Sequence, residues 1–222
     1  MRMRGLATRP VMLLAVWLLL AGVVSGSAPL AAAAARAGSP GPAASFSIVG
    51  GLSGVAAISA TDAWAVGYTG ASKTLIVHWN GKTWTRVPSP GGIFRGVAAT
   101  SARSAWAVGS TANGKALIAR WNGQVWTQVP SPAPTGSTFY GVAATSARSA
   151  WAVGSTANGK ALVERWNGQV WAQVPSPAPA SSFLSSVAAT SASNAWAVGS
   201  TSNGHHASFQ TLILRWNGTA WK

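Results

Sequence analysis

The sequence predicts an all-β protein built from four copies of one four-stranded antiparallel unit. Three observations predict it: a motif AWAVG that recurs at regular spacing, an Asn-Gly pair between two tryptophans that recurs with it, and the lack of helical periodicity. The AWAVG motif begins at Ala63, Ala105, Ala150 and Ala195, which gives spacings of 42, 45 and 45 residues. Repeats of this length are typical of folds in which similar units stack side by side.

The copies are close to one another in sequence. The stretch GVAATSARSAWAVGSTANGKAL is identical at 96–117 and 141–162, which suggests a recent duplication. Of the 13 tryptophans, all but Trp17 lie in the repeats, three to each. Such regular recurrence favours a packing role for these side chains, because tryptophan buries a large area and its indole N–H can reach a backbone carbonyl.

Each unit divides into four short strands, which the second unit illustrates at 96–100, 105–109, 116–121 and 124–129. Asn113-Gly114 and Asn122-Gly123 stand at the two later turns, and both residue types tolerate positive φ. Prolines in the stretch PSPAPTGSTF then block continuation of the last strand and lead to the next unit. The order of elements is therefore strand, turn, strand, hairpin, strand, hairpin, strand.

The third strand of the second unit is apolar on both faces, since Leu117, Ile118 and Trp121 are adjacent or nearly so. Sheets that are covered on both sides have this pattern. Units of about 45 residues buried between similar neighbours are blades of a β-propeller. Parallel β-helices have shorter repeats, and a β-sandwich does not repeat so faithfully. The predicted blades span 52–93, 94–138, 139–183 and 184–222.

Two arrangements fit four visible repeats: a small four-bladed propeller, or a part of a larger one. The last unit stops at TAWK, without the VPSP tail of the others. The segment SFSIVGG precedes the first unit where such a tail would stand, so it could supply the outer strand of the final blade. A fragment of a longer propeller explains the same observation.

The N-terminal region has the pattern of an export signal. Residues 1–35 contain a basic start, an uncharged run VMLLAVWLLLAGVV and a tract of small residues, which is typical of a secretory signal peptide. We therefore expect a secreted protein, extracellular or at the cell surface, with no membrane span after cleavage. Residues 36–44, rich in Pro, Gly, Ser and Ala, are then a linker. The absence of Cys excludes disulfides and thiolate sites.

The repeat resembles that of two known groups of propellers. The stretch AWAVG…ALIARWNGQVWTQVPSP is similar to the kelch repeat, and the element Asn-Gly-x-x-Trp is similar to the Asp-box turn of sialidase-like propellers. Asn80, Asn122, Asn167 and Asn217 stand where the Asp-box has its aspartate. The resemblance implies a propeller fold over residues 45–222 and implies no particular activity, because such propellers host many functions.

The charge of the chain favours anionic partners. Sixteen Lys and Arg face two acidic residues, for a formal net charge of +14. No nucleic-acid-binding motif accompanies this charge, so we expect an anionic polymer of the cell wall or extracellular space, or a protein, and no nucleic acid. We expect no cofactor.

One cation precedes the first tryptophan of each Asn-Gly motif, and we call this set the cation column: His78, Arg120, Arg165 and Arg215. Two acidic residues cannot pair with all four, so these side chains stack on tryptophan, cap backbone carbonyls or bind an anionic ligand. The column is the candidate ligand-binding site of the sequence.

Catalytic and metal sites have little support in the sequence. Asp62 and Glu164 are the two acids, and they fall in different repeats, whereas glycoside hydrolysis usually needs a matched pair. His205 and His206 lie in one expanded loop without further ligands, so no metal site is predicted. The sequence favours a non-catalytic binding or scaffold module. The alternative is the propeller part of a larger, glycoside hydrolase-like enzyme with catalytic residues outside this chain.

Overall fold

The computed structural model describes residues 49–70, 73–202 and 208–222. The predicted signal peptide (1–35) and linker (36–44) lie outside the described residues, as do His205 and His206. The described residues form strands joined by turns and extended linkers, and none of these residues is helical. The all-β prediction is confirmed.

Four antiparallel sheets follow one another along the chain, and in each the strands lie in sequence order. The strands of the first three blades are β1 (Gly50–Ser59), β2 (Asp62–Thr69), β3 (Thr74–Trp79), β4 (Trp84–Arg86), β5 (Ile93–Ser101), β6 (Ser104–Ser110), β7 (Ala116–Trp121), β8 (Trp126–Gln128), β9 (Thr138–Ser146), β10 (Ser149–Ser155), β11 (Ala161–Trp166) and β12 (Trp171–Gln173). The fourth blade contains β13 (Ser182–Ser191), β14 (Asn194–Ser202) and β15 (Phe209–Trp216). These are the blades of a β-propeller.

The fourth strand of the last blade is reduced to a single bridge. Trp216 pairs with Trp221, and Arg215 and Lys222 exchange two backbone hydrogen bonds of 2.8 and 2.9 Å. Gly50 and Gly51, from the segment expected to complete this blade, pair instead with Thr69 and Tyr68 in the first blade. Residues 45–48 of that segment lie outside the described residues, so the completion of the final blade by this segment stays a prediction.

The Asn-Gly turns form as predicted but by a different means. Gly81, Gly123, Gly168 and Gly218 have positive φ angles between 89° and 104°, whereas the preceding asparagines do not. The asparagine instead uses its side chain: Asn122 Oδ1 accepts backbone N–H groups from Gln124 and Val125, both at 2.9 Å. The other three turns repeat these bonds. In all four repeats the asparagine side chain thus accepts hydrogen bonds from the backbone of its own turn.

The first strands of the four blades lie next to one another, so they are the inner strands of the propeller. A glycine allows this close approach in the first three blades. A Cβ atom at Gly54 would lie 3.0 Å from the carbonyl oxygen of Arg95, one at Gly96 3.0 Å from that of Tyr140, and one at Gly141 2.9 Å from the Cα of Ser186. Ser186 occupies the corresponding position in the fourth blade.

The core lies between blades rather than within any one sheet. Three apolar clusters fill the three spaces, and each joins a tryptophan of one blade to two tryptophans of the next. Burial on both faces explains why the third strands lack simple alternation. Residues on the outward faces of the first and fourth blades are exposed in part: Val55 is 69% and Trp196 46% exposed, whereas their internal counterparts Val97 and Trp106 are buried. The described first and fourth blades therefore do not close against each other. Ala65, Leu75 and Val77, on the outward face of the first blade, are nevertheless buried.

Candidate functional site

The two arginines in the middle of the cation column lie between neighbouring blades. The Arg120 guanidinium carbon is 5.2 Å from the ring centroid of Trp106 in its own blade and 5.5 Å from that of Trp166 in the next. Arg120 also donates a hydrogen bond of 3.4 Å to the carbonyl of Ala147. Contact with two aromatic rings and a carbonyl acceptor stabilises a cation without a carboxylate.

Arg165 repeats this arrangement one interface further along. Its guanidinium carbon lies 5.1 Å from Trp151 and 5.4 Å from Trp216, and Nη2 donates to the Ala192 carbonyl at 3.0 Å. The two rings of each pair are themselves 4.9 Å apart, so each guanidinium lies over the junction of two mutually tilted tryptophan rings from neighbouring blades. They explain how cations are held at these two positions in a chain with few acids.

The ends of the column differ from its middle. His78 stacks on Trp64 at a centroid distance of 4.2 Å and hydrogen bonds to Asp62 Oδ1 at 2.8 Å. Arg215 lies 5.3 Å from Trp196, the exposed tryptophan of the fourth blade, and among the described residues no second aromatic ring contacts its guanidinium. The four side chains thus lie one per blade and do not converge on a single site. Ligand binding by the column remains a prediction.

The tryptophans of the Asn-Gly motif have the packing role that the sequence favours. In each blade the first of the pair donates its indole N–H to a carbonyl of the turn between the first two strands, at 3.0 to 3.3 Å. The second lies 5.7 to 5.9 Å from the first. The hydrogen bond therefore fixes the orientation of the indole ring within its own blade.

A pocket of about 450 Å³ lies at the opposite edge, where the hairpins between second and third strands meet the start of the inner strands. Its lining combines two aromatic rings with small polar residues of the third and fourth blades: Tyr140, Ser155, Gly159, Ser181, Ser182 and Phe183. Pockets with aromatic walls and a few hydroxyl and backbone groups are typical of small-ligand sites.

The pocket belongs to a longer line of rings, which we call the aromatic row: Tyr140, Phe183 and Phe209. The Tyr140 and Phe183 centroids are 6.3 Å apart, and those of Phe183 and Phe209 are 6.4 Å apart. Arg95 extends the row into the second blade, with its guanidinium carbon 5.4 Å above the Tyr140 ring. Phe183 and Phe209 are exposed, so the row presents rings and one cation to solvent.

The repeat pattern of the sequence does not reveal this site, because the residues of the aromatic row differ between repeats. The positions of the row vary: Arg95 and Tyr140 are the same position in successive repeats, just before the identical stretches at 96–117 and 141–162. The change from Arg95 to Tyr140 directly before a stretch that is identical in the two repeats was the available signal. It marks a residue that blade packing does not fix.

The two acids are separated in the structure, as the sequence indicates. Asp62 in the first blade is bonded to His78. Glu164 in the third blade is fully buried: Ser131 Oγ donates to its Oε1 at 2.9 Å, and Oε2 has no partner in the described structure. Burial raises the pKa of Glu164 to about 7, partly offset by the hydrogen bonds from Ser131 and the Ala133 backbone. The described residues contain no pair of carboxylates placed for glycoside hydrolysis.

Within the described ranges, no three His, Cys, Asp or Glu side chains come together as metal ligands would. The same ranges contain no helix long and apolar enough to span a membrane.

Comparison with known proteins shows the fold. No family model and no curated protein matches the sequence. The lectin SapL1, solved with alpha methyl fucoside, matches with a TM-score of 0.58 at 14% identity, over 79% of this chain and 62% of that one. YCF48 from Cyanidioschyzon merolae matches with a TM-score of 0.56 at 15% identity, over 78% and 53%.

The six-bladed β-propeller lectin of Aleuria aurantia matches with a TM-score of 0.52 at 10% identity, over 78% of this chain and 60% of that one. The chain thus spans between half and two thirds of the length of these structures. Identities this low carry the fold and not the ligand. The sheets, the blade interfaces and these matches together make the chain a β-propeller repeat protein.

Proposed function

We propose that the protein is a non-catalytic, exported β-propeller that binds saccharides at the aromatic row and its pocket. The observation that carries the proposal is the pair of rings from different blades, Tyr140 and Phe183, that line one pocket beside Ser155, Ser181 and Ser182. Aromatic rings present an apolar face to the C–H face of a sugar, and nearby hydroxyls exchange hydrogen bonds with its hydroxyl groups.

Charge narrows the class of saccharide that we propose. Arg95 stands at one end of the row, and the chain as a whole carries +14. An acidic sugar of an extracellular or cell-wall polymer would gain from both, since a strongly positive protein attracts anionic polymers over a distance. The lectin folds among the structural matches are compatible with this proposal, although their own ligand is fucose or a fucoside.

Export rests on the sequence pattern of residues 1–35 and is part of the proposal. The enzyme alternative has no observation among the described residues that favours it. Catalytic residues outside this chain would be required.

Binding to an array of neutral and acidic glycans, followed by titration calorimetry with the best glycan, tests the proposal. Tyr140→Ala and Phe183→Ala should each weaken binding about tenfold or more, because each removes a stacking surface. Val125→Ala is the matched control, since Val125 is an exposed apolar residue in the Asn-Gly turn at the opposite edge. Equal affinity of the Tyr140 and Phe183 variants and the wild type would place the ligand elsewhere, and no glycan binding at low salt would refute the function.

A further inference from the structure

The connection between the first and second blades differs from the two later connections. It consists of residues 88–93, whereas the corresponding segments 130–138 and 175–183 are each three residues longer. After the shared Ser-Pro it continues with Gly91 and Gly92, where the later segments continue with Ala-Pro. A Cβ atom at Gly91 would meet nothing within 4 Å, so side chains of the connection fill less of the space at this interface.

A cavity of about 530 Å³ lies at this connection. Its walls come from two blades: the hairpin after β2 and the end of β4 belong to the first blade, and the hairpin after β6 belongs to the second. The polar side chains that line it are Lys73, Thr74, Arg86, Thr111 and Asn113. We call it the basic cavity, and Gly91, Gly92 and Ala112 complete its lining.

The corresponding space of the third blade has a different composition. Lys160 and Gln173 stand there at the positions of Lys73 and Arg86, and residues of the longer connection supply most of the remaining wall. Gln128 takes the position of Arg86 in the second blade. The second cation is therefore particular to the first of these three blades, which is also the blade with the short connection.

Arg86 is held in place at the wall of the basic cavity. Its Nη2 donates a hydrogen bond of 3.0 Å to the carbonyl of Thr74, at the start of β3. A guanidinium has five N–H donors in a planar fork, and this bond uses one of them. The others can bind an oxyanion without the loss of the bond that positions the side chain.

Neither cation of the basic cavity has a carboxylate partner within the chain. The sequence contains two acidic residues: Asp62 is bonded to His78, and Glu164 is buried in the third blade with Ser131. Two cations that line one cavity create a positive potential inside it, and that potential favours an anionic ligand.

We propose that the basic cavity binds a phosphate group. Arg86 and Lys73 supply the charge, because the arginine fork matches the geometry of phosphate and lysine binds it as a point charge. The Thr111 hydroxyl and the Asn113 amide supply further donors from the second blade. A tetrahedral oxyanion presents oxygens in several directions and can use donors from both blades at once, whereas a carboxylate presents two oxygens in one plane. This cavity is separate from the aromatic row and does not depend on saccharide binding.

NMR titration of the protein with inorganic phosphate, at pH 7 and constant ionic strength in chloride, tests the proposal. We expect saturable binding of one phosphate per chain, with the largest shifts at the backbone amides of Gly91, Gly92, Thr111 and Asn113. A parallel titration with dimethyl phosphate distinguishes the two sources of such a group. Tighter binding of inorganic phosphate would identify free phosphate or a monoester as the ligand, and comparable binding of dimethyl phosphate would identify a phosphodiester of a polymer.

Two results of these titrations would overturn the proposal. One is the lack of saturable shifts at these four amides. The other is binding of acetate as tight as that of phosphate, which would contradict a site for a tetrahedral oxyanion.

Arg86→Gln introduces the residue that the next two blades carry at this position, so the fold should tolerate it. It should raise the dissociation constant for phosphate about tenfold or more, because it removes charged hydrogen bonds. Lys73→Ala, at an exposed side chain, should also weaken binding. Arg103→Gln is the matched control, since Arg103 is exposed near Gly123 of the Asn-Gly turn, at the opposite edge of the blades.

Equal dissociation constants for Arg86→Gln, Arg103→Gln and the wild type would show attraction by net charge alone and would overturn the proposal. Tyr140→Ala should leave phosphate binding unchanged, because Tyr140 lies outside the basic cavity. The phosphate proposal and the saccharide proposal therefore fail separately.

Discussion

Arg165 links the third blade to the fourth: its Nη2 donates a hydrogen bond of 3.0 Å to the Ala192 carbonyl, and its guanidinium contacts both Trp151 and Trp216. The sequence places these groups in different repeats, 27 residues apart for the hydrogen-bonded pair. The contact explains why a cation is kept at this position in a chain that has almost no acid to pair with it.

Arg165→Ala should lower the free energy of unfolding by about 2 kcal/mol, because it removes cation–π contacts with two tryptophans and a charged hydrogen bond. Arg215→Ala is the matched comparison and should cost less, since Arg215 has one tryptophan face and lies in solvent. Urea unfolding at concentrations where the chain is monomeric measures both. Equal losses for the two variants would contradict the fastening role.

Glu164 should make the stability depend on pH. Its pKa is about 7 in the folded protein against 4.5 for the ordinary group, so the folded state holds the proton more tightly than the unfolded state. The free energy of unfolding should therefore fall as pH rises from about 4.5 to 7, by about 3 kcal/mol at most, and level off above. Glu164→Gln keeps the shape without the charge.

The measurement is urea unfolding of wild type and Glu164→Gln at several pH values, with the difference between the two curves as the readout. That difference cancels the contributions of the other titrating groups, which the two proteins share. The variant should gain relative to wild type above pH 7 and not below pH 4.5. A constant difference across the pH range would mean that the pKa of Glu164 is the same in the folded and unfolded states.

A single added methyl group at an inner-strand glycine (Gly54, Gly96 or Gly141) should lower the stability of the fold. A Cβ atom at Gly96 would lie 3.0 Å from the Tyr140 carbonyl oxygen, so Gly96→Ala must push the second and third blades apart at the inner strands. We expect a loss of about 1–3 kcal/mol, the usual cost of overpacking. Gly51→Ala, where a Cβ would meet nothing within 4 Å, is the control. Thermal unfolding compares them, and similar melting temperatures for the two variants would contradict close inner-strand packing.

Much of the fold was predictable because it depends on local chemistry. The Asn-Gly turns, the prolines after the fourth strands and the spacing of AWAVG locate the strands and their order. Trp121 and Trp126 directly flank the four turn residues 122–125, and their rings lie 5.8 Å apart. The mechanism of the turn was less accessible, because sequence does not reveal that asparagine serves through its side-chain oxygen rather than through positive φ.

The candidate site was not predictable in the same way. Tyr140 and Phe183 come from different blades, and only stacking of the sheets brings their rings to 6.3 Å. The cation column was visible in the sequence, but whether an arginine meets a ligand, a carbonyl or a second tryptophan depends on which blade lies beside it. Arg120 and Arg215 both begin an RWNG motif, yet Arg120 is half-buried and Arg215 is exposed for that reason.

The sequence by itself determined the repeat, the strands and the side chains that each blade offers to its neighbours, because these follow from periodicity, turn residues and apolar pattern within some 45 residues. The tertiary structure decided which of those side chains are buried by a neighbouring blade. Trp64, Trp106 and Trp151 are buried by a following blade, and Trp196 is not, since none of the described residues lies beyond it. The burial of each tryptophan depends on the blade beside it, and the position of that blade depends on how whole sheets stack.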